Sequence, residues 1–267
     1  MRLCFSPSLR FAFLLTATSV GTSSFGILAT TSTTLPPDAD VAFPYVGSFG
    51  FNTTQGSGVA IGPNLVLTAA HNTITDFTLN GTTYGVLSYV DASSYGFSGL
   101  DLRIVTLNKT LPGFYPIGTS VALGSTITMV GYGFTGVVDG DHYTPTNFLG
   151  RHAGTNLVDD TMTNYGGGPG LTSFLRGPGS AIVSNGDSGG GWFQNGSLVG
   201  ISDALLSTTG QPTYKFAVGG TAYSASYAIN LTSPEARSFI TQAVPEPATV
   251  AALGLAAVTC LRRRKKA

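Results

Sequence analysis

Asn185-Gly-Asp-Ser-Gly-Gly-Gly-Trp-Phe193 joins a glycine-rich turn to the start of an apolar strand. Glycines let the backbone curl so that one hydroxyl, that of Ser188, and the neighbouring N–H groups can face a single point. A serine in such a turn becomes a nucleophile only with a base beside it. The chain has three histidines, His71, His142 and His152, and all precede Ser188. His71 ends Gly56-Ser-Gly-Val-Ala-Ile-Gly-Pro-Asn-Leu-Val-Leu-Thr-Ala-Ala-His71, which reads as a hairpin. Ser57 to Ile61 and Leu65 to Thr68 are the strands, and Gly62-Pro63-Asn64 is the turn. A third stretch, Asp101-Leu-Arg-Ile-Val-Thr-Leu107, predicts a strand with Leu102, Ile104, Val105 and Leu107 in the core. Asp101 stands at its mouth, where a carboxylate can be buried beside an imidazole.

Leu-Thr-Ala-Ala before His71, Asp101 before its strand, and Gly-Asp-Ser-Gly-Gly around Ser188 resemble the three signatures of the chymotrypsin-like serine peptidases, in the same order. The resemblance implies an all-β fold of two packed, antiparallel, six-stranded β-barrels with a short C-terminal helix. It implies a triad of His71, Asp101 and Ser188, in which Asp101 holds the histidine tautomer and stabilises the imidazolium. The N–H groups of Gly186 and Ser188 would form the oxyanion hole. Ser188 also lies in a formal Gly-x-Ser-x-Gly, but α/β-hydrolases and the Gly-Asp-Ser esterases carry their histidine after the serine. A subtilisin-like order would need an Asp ahead of His71, and Asp38 and Asp40 lie in a Pro-rich stretch without that family's motif.

The resemblance extends over roughly residues 41 to 243. Thr126 to Tyr132 resembles the strand opening the second barrel, and Leu198-Val-Gly-Ile-Ser202 the strand lining the substrate cleft, which makes Ser202 a substrate-binding candidate. Ser233-Pro-Glu-Ala-Arg-Ser-Phe-Ile240 predicts a helix capped by Ser233, with Pro234 at its first position and Ala236, Phe239, Ile240 and Ala243 on one face. The lobes are expected over 30–118 and 119–243.

Composition agrees with many short strands joined by turns. Of 267 residues, 42% are apolar, only 10% are charged and 36 are glycine, so a large core is available and long amphipathic helices are not. Between residues 30 and 243 there are six basic against twelve acidic residues, a net charge of −6 that argues against nucleic-acid binding. Cys4 and Cys260 both lie in the terminal segments, so the central domain is expected to be free of disulfides, which points to a bacterium. No cofactor or metal is expected. Asp139-Gly-Asp141-His142 reads as a solvated turn rather than a calcium site.

Both ends read as addresses. Arg2 and Arg10, the apolar run Phe11 to Val20 and the small residues after it form a signal peptide over 1–29, cleaved between about 23 and 31 by signal peptidase. At the other end, 244–267, Val244-Pro-Glu-Pro247 precedes an apolar run from Ala248 to Leu261 and then Arg262-Arg-Arg-Lys-Lys266. As a helix the apolar run rises about 21 Å, short of a bilayer core of roughly 30 Å, so its transmembrane contact would be transient. The segment resembles the PEP-CTERM sorting signal of Gram-negative bacteria. That implies removal by an exosortase-type peptidase, brief inner-membrane anchoring and release to the cell surface, extracellular matrix or medium.

Three departures from the chymotrypsin-like pattern bear on function. Asn72 follows His71 where Cys is familiar, and Gly191 stands where Pro is familiar. There is no Ile-Val-Gly-Gly start, although Asp187 occupies the position that in this family receives a freshly cut N-terminal ammonium; cleavage after Gly26 would expose Ile27 for that role. Six residues before Ser188, the position that floors the primary specificity pocket is Ile182, which implies an apolar or neutral substrate side chain rather than Arg or Lys. The leading expectation is a secreted serine endopeptidase that cuts protein or peptide substrates through an acyl-enzyme. The rival is a catalytically inert surface adhesion or matrix protein on the same fold.

Overall fold

The computed structural model describes residues 28–29, 43–50, 56–139, 142–147, 150–162, 168–176, 180–206, 216–218, 221–223 and 225–244. The expected signal peptide up to Ile27, the turn residue Asp141 and the sorting tail after Val244 lie outside them. Among the described residues no helix is long and apolar enough to cross a membrane.

A two-residue strand, β1 (Leu28–Ala29), precedes the first lobe. That lobe is β2 (Val46–Phe49), β3 (Ser57–Gly62), β4 (Leu65–Ala69), β5 (Phe77–Leu79), β6 (Thr82–Tyr84), β7 (Val86–Asp91) and β8 (Leu102–Leu107). The second half carries β9 (Thr126–Gly131), β10 (Thr135–Asp139), β11 (His142–Asn147), β12 (His152–Leu157), β13 (Asp160–Met162), β14 (Gly170–Phe174) and β15 (Ala181–Ile182). It continues through β16 (Gly191–Gln194), β17 (Ser197–Leu206), β18 (Phe216–Val218), β19 (Thr221–Tyr223), β20 (Ala225–Asn230) and helix α1 (Pro234–Ala243).

Two curled antiparallel sheets result, in the orders β6-β5-β2-β3-β4-β8-β7 and β12-β9-β16-β17-β20-β14-β13. Each has seven strands where the barrel expectation has six. In the first lobe the extra edge comes from a two-residue turn. Asn80 (φ 49°) and Gly81 (φ 77°) are both left-handed, the geometry that lets a tight hairpin follow the twist of its strands, and they fold β6 back onto β5. Asn195 and Gly196 repeat the device between β16 and β17. A four-stranded sheet, β10-β11-β18-β19, stands apart and includes one parallel pairing, of β11 with β18.

Strand alternation fills several apolar clusters, three of which frame the two sheets and their seam. One lies in the first lobe, around Phe49, Val66, Phe77 and Val105. Another lies in the second, around Met129, Leu171, Trp192 and Val199. The largest spans the seam, where Val59, Leu67 and Ile104 of the first lobe meet Val130, Phe193, Leu198 and Ile229 of the second. The Phe193 ring sits 4.9 Å from Phe43 and 4.7 Å from Tyr115, centroid to centroid. Helix α1 closes the seam as its pattern predicts. Ser233 Oγ accepts from Ala236 N at 3.2 Å, Ala236 and Phe239 are buried, and Ile240 and Ala243 pack on the same core.

Phe193 is therefore the seam's aromatic pin, only 3% exposed. Phe193→Ala is expected to cost about 3–5 kcal/mol in urea denaturation, because a buried aromatic leaves a cavity the two sheets cannot close.

Candidate active site

The register of β4 against β8 builds the first half of the site. Ala69 pairs with Leu102, so the chain leaving β4 turns directly over the residue before β8, and Ala70 N donates to Asp101 O at 3.1 Å. His71 then meets Asp101 twice. Its backbone N–H donates to Oδ1 at 3.0 Å, and its ring Nδ1 hydrogen-bonds Oδ2. The loop is braced from behind by Arg103, which donates to Asn72 O at 2.8 Å and grips Asp91 through Nε (2.5 Å) and a terminal nitrogen (3.0 Å).

The second half is the Gly186-Asp187-Ser188 turn, and two side chains of the first lobe fasten it. Asn72 Nδ2 donates to Ser188 O at 2.7 Å and to Thr68 Oγ1 at 2.9 Å. Ser57 N donates to the same Ser188 oxygen at 2.7 Å, and Ser57 Oγ donates to Gly186 O at 3.0 Å. Asn72 thus joins the strand before His71 to the serine turn by hydrogen bonds. Gly56 leaves room for it, since a Cβ there would stand 2.4 Å from the Asn72 amide. Gly189 is required outright: its φ is +85° and a Cβ would fall 2.1 Å from Ser57 O. The Ser188 hydroxyl donates to Asp203 O at 3.4 Å.

Asp187 lies beneath this turn, 1% exposed. It accepts from Ser184 N (2.8 Å), Ser184 Oγ (2.9 Å) and Gly133 N (2.8 Å), all neutral donors. Burial outweighs these bonds and pushes its carboxyl up to about 6.

Asp203 lies outside the three sequence signatures. It follows Ser202 on β17, where Ser202 pairs with Ala228 and Ala204 with Tyr227, so Asp203 is the unpaired residue of a β-bulge. Its carboxylate lies 3.6 Å from His71 Nδ1 and shares a hydrogen bond with Asp101. The hydrogen bond with Asp101 raises the His71 ring above its ordinary value, against burial and with help from both carboxylates. Asp101 stays below the usual carboxylate range because bonds from His71 and Asp203 overcome burial. Burial and the Asp101 charge push Asp203 up to about 7.

Beside Ser188 opens a cavity of about 210 Å³, lined by Val183, Ser184, Asn185 and Ser188 on one side and by Ser202 to Leu205 on the other. Ser202 contributes to this wall while its hydroxyl accepts from Trp192 Nε1 at 3.0 Å. Ile182, expected at the pocket floor by ungapped counting, is buried in β15 opposite Leu28 and is not among the lining residues; its neighbour Val183 is.

The family model described as Trypsin matches residues 36–226, and that of the PEP-CTERM protein-sorting motif matches residues 243–265. Many solved structures share the fold, two of which illustrate it. Neuropsin, a serine protease expressed in the limbic system of mouse brain, aligns with a TM-score of 0.53 and 15% identity over 72% of this chain and 91% of its own. A mutant of human heparin binding protein aligns with a TM-score of 0.55 and 15% identity over 77% of this chain and 94% of its own. No curated protein matches the chain.

Two outcomes follow for the turn. Asn72→Ala leaves one donor fewer at Ser188 O and a buried Thr68 hydroxyl short of a partner, at a cost of about 1–3 kcal/mol in denaturant unfolding. Asp187 binds its proton more tightly folded than unfolded, so its contribution is greatest at low pH and is lost as pH rises from about 4 to about 6. Asp187→Asn is expected to remove that decline, roughly 3 kcal/mol, from a plot of stability against pH measured on protein whose N-terminus is blocked.

Proposed function

The chain belongs to the trypsin family, and from that premise we propose that it is a serine endopeptidase acting through His71, Asp101 and Ser188. The observation that carries the reading is the His71–Asp101 pair bonded in one lobe and tied, through Asn72 and Ser57, to the Ser188 turn of the other. For attack, the Ser188 hydroxyl exchanges its bond to Asp203 O for one to His71 Nε2. Nε2 takes its proton as Oγ attacks the scissile carbonyl carbon, and the electron pair moves to the carbonyl oxygen. The N–H groups of Gly186 and Ser188 receive that oxyanion, each such donor being worth about 3–4 kcal/mol when removed. Collapse returns the proton from Nε2 to the departing amine, and water repeats the sequence to release the acyl group.

The cavity beside Ser188 takes the side chain preceding the cut. Its walls include Val183, Ala204 and Leu205 with the neutral Ser184 and Asn185; Asp203 also lines it, but its carboxyl is engaged 3.6 Å from His71 Nδ1, so the cavity favours an apolar or uncharged group. Ser202 contributes the strand against which the substrate backbone lies.

Asp187 is the activation pocket. β1 pairs Leu28 with Ile182 and Ala29 with Ala181, so the backbone immediately after Ile27 runs along the segment that leads into the Asp187 turn. Cleavage after Gly26 would give Ile27 an ammonium to pair with Asp187, drawing its carboxyl down and stabilising the turn. The PEP-CTERM motif implies exosortase processing. With the signal peptide read at 1–29 it makes this an exported protein of a Gram-negative envelope, held briefly at the inner membrane and released to the surface or medium. The lobes divide near residues 118 and 119.

Correctly processed protein is expected to react with a fluorophosphonate at Ser188. Ser188→Ala is expected to abolish labelling and to lower peptide-ester hydrolysis by about 10³-fold or more. An apolar-residue ester should be cut faster than an Arg ester. Absence of Ser188-dependent labelling would favour the inert adhesion reading, and N-terminal sequencing that found a start other than Ile27 would remove the activation model.

A further inference from the structure

We infer that Asp203 is a second carboxyl of the catalytic centre, a positioning residue that shares one proton with Asp101 and so sets the pH at which His71 becomes a free base. The inference rests on the triad reading and adds a group to it. The bulge at Ser202–Ala204 is its structural cause. In a regular strand Asp203 would have a cross-strand partner; the extra residue instead turns its carboxyl across the cleft, to 3.6 Å from His71 Nδ1 and into a hydrogen bond with Asp101. Its side chain is only 11% exposed, and that of Asp101 21%. Two carboxylates in such contact do not both ionise readily, and the proton one of them keeps makes it a donor to the other.

Asp203 in its acid form donates to Asp101, which has His71 Nδ1–H and N–H as its other donors. When His71 Nε2 takes the Ser188 proton, the imidazolium faces one negative charge spread over a hydrogen-bonded pair. When Asp203 releases its proton to solvent, two anions face the ring and hold it protonated. The ring therefore loses its proton at a higher pH than one carboxylate would set. The other charged and titratable groups around the cluster are Arg103, whose charge opposes protonation of His71, and Tyr227 on β20, whose phenol Asp203 helps to raise. The main chain of Asp203 serves the same site, because its carbonyl accepts from Ser188 Oγ.

The test compares correctly processed wild type with Asp203→Asn and Asp203→Ala, using an apolar peptide ester and a fluorophosphonate. A chelator is included because His71, Asp101 and Asp203 offer ligand atoms within 4.8 Å of one another and an adventitious cation could compete with the proton. Asp203→Asn still donates to Asp101 but carries no charge, so the acid limb of kcat/KM is expected to move down by about one pH unit. Asp203→Ala is expected to lose about tenfold in kcat, with KM little changed, and Asn to rescue most of it. An acid limb of Asp203→Asn that superimposes on the wild-type limb overturns the inference. A second measurement needs no variant. The Nδ1 proton of His71, followed by NMR against pH in the wild type, is expected to titrate in two steps, and a single step overturns the inference. If the wild type is not labelled at Ser188, the peptidase reading fails, and the NMR titration still decides the role of Asp203.

Discussion

The carbonyl oxygen of Ser188 is the atom on which the two lobes converge. It accepts from Ser57 N and from the Asn72 amide, both of the first lobe, while the residue that carries it belongs to the second. No cysteine occurs among the described residues, so this junction is held by hydrogen bonds and by apolar packing beneath them. Buried bonds between lobes hold only when both sides are correctly packed, because each donor left unmade is expensive in a site shielded from water. The geometry of the serine turn therefore depends on the Phe43–Phe193–Tyr115 seam several residues away, and Gly189 permits the close approach of backbone to backbone that the junction needs.

Carboxyl groups dominate the electrostatics. Asp187 is closed off with neutral donors below the turn, and Asp101 and Asp203 crowd His71 above it. Burial alone would drive all three toward the neutral form. What separates them is their partners. Asp101 has the ring and backbone of His71 and stays ionised; Asp203 has Asp101 as a neighbour and tends to keep its proton. Asp187 lacks a cation among its bonded partners, which is why an incoming ammonium would have so large an effect there.

Much of this was legible before any coordinates. The hairpin around Pro63 and Asn64, the strand from Leu102 to Leu107 and the capped helix after Ser233 each fall where periodicity and turn chemistry put them, since all three are local patterns. The seventh strand of the first sheet is also written in the chain, as Asn80-Gly81, a two-residue turn signal that lies outside the three family signatures. Ile182 and Asp203 were different. Counting back six residues from Ser188 reaches Ile182, but which residue faces the cavity depends on how the loop packs against β17, and Val183 takes the wall.

The amino-acid sequence by itself determined the glycine-rich turn around Ser188, the order of His71, Asp101 and Ser188 along the chain, and the C-terminal sorting motif. These are contiguous motifs or facts of chain order, and neither changes with packing. Only the tertiary structure decided that Asn72 ties the first lobe to Ser188 O, that Val183 rather than Ile182 lines the cavity, and that Asp203 reaches His71. Each of these depends on the register between distant strands and on one bulge, and a one-residue change in register would turn the same side chains to the opposite face.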